Sequence, residues 1–89
     1  MDYEAWFAAR LAALRMEKDV SARDMSLSLG QSESYINKIE NRRTLPSLKG
    51  FFYICAYLEI TPEEFFNTEM ISPGKTKEIV REIGKLSPA

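Results

Sequence analysis

The sequence predicts an all-α domain, and three observations carry that reading. Apolar residues recur at helical spacing along the whole chain, no segment alternates with period two, and helix start and stop signals follow one another at short intervals. With 89 residues the chain is one small domain by length. A domain of this size buries only about 60–65% of the surface its unfolded chain exposes, so its core has to be compact and locally connected. A composition of 45% hydrophobic and 28% charged residues is ordinary for a globular protein and excludes a disordered chain.

The first helix is predicted over Tyr3–Glu17, where Phe7, Leu11 and Leu14 recur at i, i+4 and i+7 and Tyr3 extends the stripe. Lys18, Asp19 and Val20 interrupt it. Ser21 then caps a short second helix, with Asp24 three residues on in an approximate capping box, and Gly30 ends it. A third helix is predicted over residues 33–42, capped by Ser32 and buried through Ile36 and Ile39. Thr44, Leu45 and Pro46 form a loop, because the residue before proline is biased out of the helical region. Ser47 caps a fourth helix over residues 48–58, with Leu48, Phe51, Phe52, Cys55 and Leu58 on a broad apolar face. Thr61, Pro62, Glu63 and Glu64 supply a cap, a proline at the first helical position and a glutamate at the third, opening a short helix with Phe65 and Phe66. After Ser72, Pro73 and Gly74, an amphipathic helix is predicted over residues 75–86 with Ile79, Ile83 and Leu86 on one side. The division this implies is a domain over 1–70 and a helical extension over 71–89 that packs or dimerises.

Several function classes are excluded at this level. The single cysteine, Cys55, sits in an apolar run and reads as a buried, inert thiol. There is no histidine, hence no Cys/His metal set and no histidine general base, so no metal or other cofactor is expected. No apolar stretch approaches the roughly 18 residues that cross a bilayer, and the acidic start (Asp2, Glu4) is unlike a signal peptide, so a cytoplasmic protein without a membrane partner is expected. The net charge is −1, yet it is unevenly spread. Residues 31–49 hold four bases (Lys38, Arg42, Arg43, Lys49) against Glu33 and Glu40, while residues 59–69 hold four glutamates and no base. Such a split orients a protein on a polyanion, although ordinary solvated surface produces it too.

The second and third helices meet the steric terms of a tight helical hairpin. Ser26 is small where the helices face each other, Gly30 makes the turn and Ile36 anchors the second helix underneath, with Met25, Leu29 and Ile39 filling the interior. The stretch from Ser32 to Arg43, with Ile36, Ile39, Glu40 and Asn41 in an I-x-x-I-E-N pattern followed by Pro46, Ser47 and Leu48, resembles the lambda-repressor/Cro-like (XRE-type) helix-turn-helix domains over about residues 11–66. The resemblance implies a five-helix bundle whose third helix enters the DNA major groove, acting as a homodimer on a palindromic site.

Carried over by residue, the resemblance assigns base reading to Glu33, Ser34 and Lys38, with Asn37 and Tyr35 as flanking candidates. Residues 33, 34, 37 and 38 are expected on one helix face opposite Ile36 and Ile39. Lys38 suits guanine O6 and N7, Glu33 suits cytosine N4, and Ser34 suits either role. Ser32, Asn41 and Arg43 match phosphate-holding positions, to which Tyr35, Arg42 and Arg23 add backbone candidates. The chain departs from the family at Glu33, an acid that also suits a helix N-terminus; at Ala22, in place of a phosphate-holding glutamine; and at Arg42, in place of the glycine after Asn41. Arg15 and Glu40 match a partly buried ion pair between the first and third helices, which the apolar neighbour Ile39 makes physically necessary if Glu40 is desolvated. The expected function is a double-stranded DNA-binding transcriptional regulator and not an enzyme, since no nucleophile is paired with a base. Two alternatives share the fold. One is an antitoxin-like module that binds a protein through the Ile79/Ile83/Leu86 stripe and the aromatics Trp6, Tyr53 and Tyr57; the other is a scaffold without DNA binding.

Overall fold

Helix boundaries in this chain follow from the side chains available to take up the amides that every helix leaves unpaired at its start. The computed structural model describes residues 1–67, which form five helices: α1 (Tyr3–Glu17), α2 (Ala22–Ser28), α3 (Tyr35–Glu40), α4 (Leu48–Leu58) and α5 (Pro62–Phe66). Four of them begin on a side-chain cap. Asp2 accepts from the Ala5 amide, Ser21 from Asp24, Ser47 from Gly50 and Thr61 from Glu64. The Glu64 carboxylate accepts in turn from the Thr61 amide at 3.0 Å, completing the capping box expected at α5. Each such cap contributes about 1 kcal/mol. The helix predicted over residues 75–86 lies outside the described residues.

The exception is α3, which begins two residues later than expected. Ser32 does not cap it with its side chain; its carbonyl accepts from the Tyr35 amide at 3.0 Å, while residues 33 and 34 form a turn. Ser34 stands at the N-cap position and makes no side-chain cap bond. The cap comes from another helix. The Ser26 hydroxyl, fully buried on α2, accepts from the Ile36 amide at 2.9 Å and donates to the Ala22 carbonyl at 2.7 Å.

Four of the five helix ends share one geometry. Asp19, Gly30, Arg42 and Glu59 all take left-handed backbone angles (φ 59°, 74°, 62° and 59°). At each, that residue's own amide and the next one fold back on the last turn, as when Arg42 N–H donates to Ile39 O and Arg43 N–H to Lys38 O. Gly30 does this without strain, as its identity predicts. The other three carry a side chain into a region that costs an L-residue about 1–2 kcal/mol.

The core is built from Leu11 and Leu14 of α1, Met25 of α2, Ile36 and Ile39 of α3, Phe51, Ile54, Cys55 and Leu58 of α4, and Phe65 of α5. Cys55 is buried as expected, and that burial pushes its thiol up to about 11. Three expected core contributors are not in it. Tyr3 is 74% exposed, and Leu48 and Phe52 are 68% and 50% exposed. The inward arc of α4 runs through Phe51, Ile54, Cys55 and Leu58, and Phe52 lies about 100° round from Phe51. Leu48 and Tyr3 sit in first turns, beyond the packed layer. Trp6, expected on the surface, is instead half-buried and stacked on Phe66 at 5.7 Å, beside a cluster in which Phe65 meets Phe7 at 4.9 Å and Phe51 at 5.0 Å.

Two arginines of α1 hold the bundle by polar contacts. Arg15 donates to both Glu40 oxygens (2.7 and 3.0 Å) and to the Val20 carbonyl (2.8 Å), with both charged side chains 14% exposed. The hydrogen bond to Glu40 raises the Arg15 pKa above its usual value. Arg10, not singled out from the sequence, donates to the carbonyls of Phe65 (2.7 Å) and Glu64 (2.8 Å), neutralising the C-terminal end of α5.

Two substitutions test these contacts. Arg15→Ala leaves Glu40 desolvated without its partner and should cost about 2 kcal/mol, between the values for exposed and fully buried pairs; a urea midpoint equal to wild type would show that the pair contributes nothing. Glu59→Gly removes left-handed strain while adding unfolded-state freedom, and should raise stability by about 0.5–1 kcal/mol in the same titration. A loss of stability would contradict the strain assigned to that helix end.

Candidate nucleic-acid interface

A six-residue helix is too short to hold its shape in isolation, so the surface that α3 presents is set by what holds it from behind. Ile36 and Ile39 are buried against the bundle, Ser26 caps the start from α2, and Arg15 grips Glu40 from α1. The residues between and beyond the anchors, Asn37, Lys38 and Asn41, are therefore turned outward and exposed. Asn41 Nδ2 donates to both the carbonyl (2.9 Å) and Oδ1 (2.8 Å) of Asn37. That contact orients the Asn37 amide and leaves its NH2 group to donate outward.

The expectation that residues 33, 34, 37 and 38 share one helix face is corrected: Glu33 and Ser34 precede the helix in a turn. Glu33 is exposed, and its Oε2 accepts from Arg23 Nε of α2 at 3.2 Å. Ser34 is half-buried at the N-cap position. Tyr35 is less a surface residue than expected. Its ring packs on the core, its burial raises the phenol pKa, and a Cβ on Gly50 would lie 2.8 Å from its hydroxyl, so α3 and α4 approach through a glycine. Asn41, Arg42 and Arg43 are exposed where α3 ends, and Arg42 Nη1 lies 3.9 Å from the Asp2 carboxylate.

Four exposed bases follow one another along the chain here. Lys38, Arg42, Arg43 and Lys49 run from α3 through the following loop to the first turn of α4, with Lys38 and Lys49 on the α4 side and Arg42 on the α1 side near Asp2. Between α3 and α4 lies an open groove lined by Gln31, Lys38, Ser47, Lys49 and Tyr53 among others. The start of α4 carries the positive end of its helix dipole and unpaired amides, which suit an anion. Of these lining residues, Gln31, Ser47, Lys49 and Tyr53 were not among the DNA-contacting residues expected from the sequence, Tyr53 having been expected on a protein-partner surface; the surplus of bases over residues 31–49 was the available signal for Lys49.

The acidic stretch is partly consumed by structure. Glu64 is buried as the return arm of the α5 capping box, while Glu59 and Glu63 are exposed away from α3 in sequence. Among the described residues no group of three or more histidines, cysteines and carboxylates is arranged to hold a metal ion. Among the same residues no helix is long and apolar enough to cross a membrane.

The family described as helix-turn-helix matches residues 11–65, more than half of the chain. Comparisons with curated proteins and with solved structures gave no significant match. The matched span opens at Leu11, includes Arg15 and the Ser26–Gly30–Ile36 hairpin, and closes at the buried Phe65. With all five helices in place and that hairpin at their centre, the chain belongs to the lambda-repressor-like (XRE-type) helix-turn-helix family of DNA-binding regulatory domains.

Proposed function

We propose that this domain is a transcriptional regulator that binds double-stranded DNA in a sequence-specific manner, with α3 in the major groove. The observation that carries the reading is the fixing of α3 from behind, which leaves Asn37 and Lys38 outward and exposed, with the exposed bases Arg42, Arg43 and Lys49 following in the chain. Lys38 donates to guanine O6 or N7, and the Asn37 amide and Ser34 hydroxyl complete the base-reading set with Glu33. Ser32, Asn41, Arg42, Arg43 and the edge of Tyr35 hold the phosphate backbone, which fixes register without reading sequence. Residues 1–70 carry this function and residues 71–89 add packing or dimer contacts. The chain acts as a homodimer with its recognition helices about 34 Å apart, one DNA turn. Binding, and not catalysis, is the role these groups support, in the cytoplasm where DNA is the partner.

A second reading is favoured by one observation. Met1, Tyr3, Trp6, Phe7, Leu45 and Phe66 line an open apolar groove, and Leu48 and Phe52 are exposed on α4. A protein partner seated there, as in an antitoxin-like module, is compatible with DNA binding by α3 on the same chain.

Lys38 and Arg43 separate reading from holding. Lys38→Ala should cost about 1–3 kcal/mol on the preferred duplex and much less on random DNA. Arg43→Ala should weaken both duplexes alike and flatten the plot of log affinity against log salt by about one unit. Titrations of both variants against both duplexes at several salt concentrations check this, and the same curves give two chains per site. An equal effect of Lys38→Ala on both duplexes contradicts its base-reading role, and no effect of either variant contradicts DNA binding by this face.

A further inference from the structure

Resting on the DNA-binding reading above, we propose that Arg23 and Glu33 act as one charge-compensated unit in which Glu33 selects cytosine and Arg23 positions it, instead of anchoring a phosphate. The two residues come from different elements. Arg23 is in the first turn of α2, and Glu33 is in the turn that leads into α3. Their side chains meet at 3.2 Å between Arg23 Nε and Glu33 Oε2. The second oxygen, Oε1, accepts nothing from the described residues and remains available for a ligand.

The chemistry of this oxygen is restrictive. An ionised carboxylate is an acceptor only, so it requires a donor on the base edge. Guanine presents two acceptors in the major groove and thymine one, so both repel it. Adenine places its N7 acceptor beside its amino group. Cytosine N4 is the donor with no acceptor alongside it on the same base. A bare carboxylate at this place would also oppose the phosphates, and the guanidinium offsets that charge. In the free protein both side chains are about two-thirds exposed (66% and 67%), where such a pair is weak. When DNA covers the surface and excludes water, the same contact strengthens because the local dielectric falls. Arg23 therefore acts through Glu33, and its Nε is committed to the carboxylate.

Selection from random-sequence DNA with wild type, Glu33→Gln, Arg23→Ala and the double variant tests the unit, followed by titration of each on the selected duplex. Both side chains are surface-exposed, so all four proteins should fold alike, which thermal melting checks. Wild type is expected to enrich a cytosine at one position. Glu33→Gln, which gains a donor and can grip adenine N6 and N7, should move that position to adenine with about a tenfold change in preference. Arg23→Ala should weaken binding about tenfold when Glu33 is present and hardly at all in the Glu33→Gln background. Enrichment that Glu33→Gln leaves unaltered, or an equal cost of Arg23→Ala in both backgrounds, would overturn the unit while leaving DNA reading intact. No enrichment by wild type would overturn both.

Discussion

The hydroxyl of Ser26 joins the two helices on which the proposed DNA-facing surface depends, because it bonds to both at once. It donates to the Ala22 carbonyl within α2 and accepts from the Ile36 amide at the start of α3. Its side chain is wholly enclosed, so the two helices pack at a separation that only a small residue allows. A larger side chain would separate the helices, and an apolar one of the same size would leave the Ile36 amide buried and unpaired. Gly30 supplies the left-handed turn that brings the chain back to this contact, and Gln31 N–H closes it on the Ser26 carbonyl at 3.0 Å. Turn, small residue and anchor are one constraint expressed at three places.

The remaining supports of α3 follow from its shortness. Six residues give too few internal hydrogen bonds to offset the ordering of the backbone, so tertiary contacts have to stabilise the helix. Ile36 and Ile39 do so by burial, and Arg15 does so by pairing with Glu40 from the opposite side. The far end closes through Arg42, which carries an exposed positive charge on the α1 side of α3, near Asp2, in a backbone conformation that glycine adopts more easily. Local strain and surface charge meet at that residue. The result is a helix with little freedom to re-orient and with Asn37 and Lys38 turned out.

Most of the fold was legible in the sequence where the deciding interaction is local. Helices α1 and α4 span the residues expected and α5 begins where its cap says, since Ser47 or Thr61 bonds an amide three residues away. The start of α3 was misjudged because its cap comes from Ser26, ten residues back and on another helix. Apolar spacing showed that α4 has a buried side but not how wide it is, so Leu48 and Phe52 were counted inside while packing set the arc through Phe51 and Ile54. Arg10 escaped notice for a similar reason: its partners are carbonyls more than fifty residues away. The Arg15–Glu40 pair was legible through the resemblance to the helix-turn-helix family, with which the need of a desolvated acid beside Ile39 for a partner agrees. Of the candidate site, Asn37, Lys38, Asn41, Arg42 and Arg43 stand exposed together at α3, whereas the partnership of Glu33 with Arg23 had no sequence signal apart from opposite charge.

The cap that Ser26 of α2 places on α3 has a direct consequence for one amide. Amide hydrogen exchange at Ile36, compared between wild type and Ser26→Ala, tests it most directly. In wild type this amide should be protected to the level of the core, although it lies in the first turn of a helix where amides ordinarily lack an acceptor. Ser26→Ala should accelerate its exchange by about tenfold or more relative to the Ile39 amide, the consequence of leaving a buried donor unsatisfied. An Ile36 amide that exchanges at the rate of exposed chain in wild type, or one that Ser26→Ala leaves unchanged, would contradict the account.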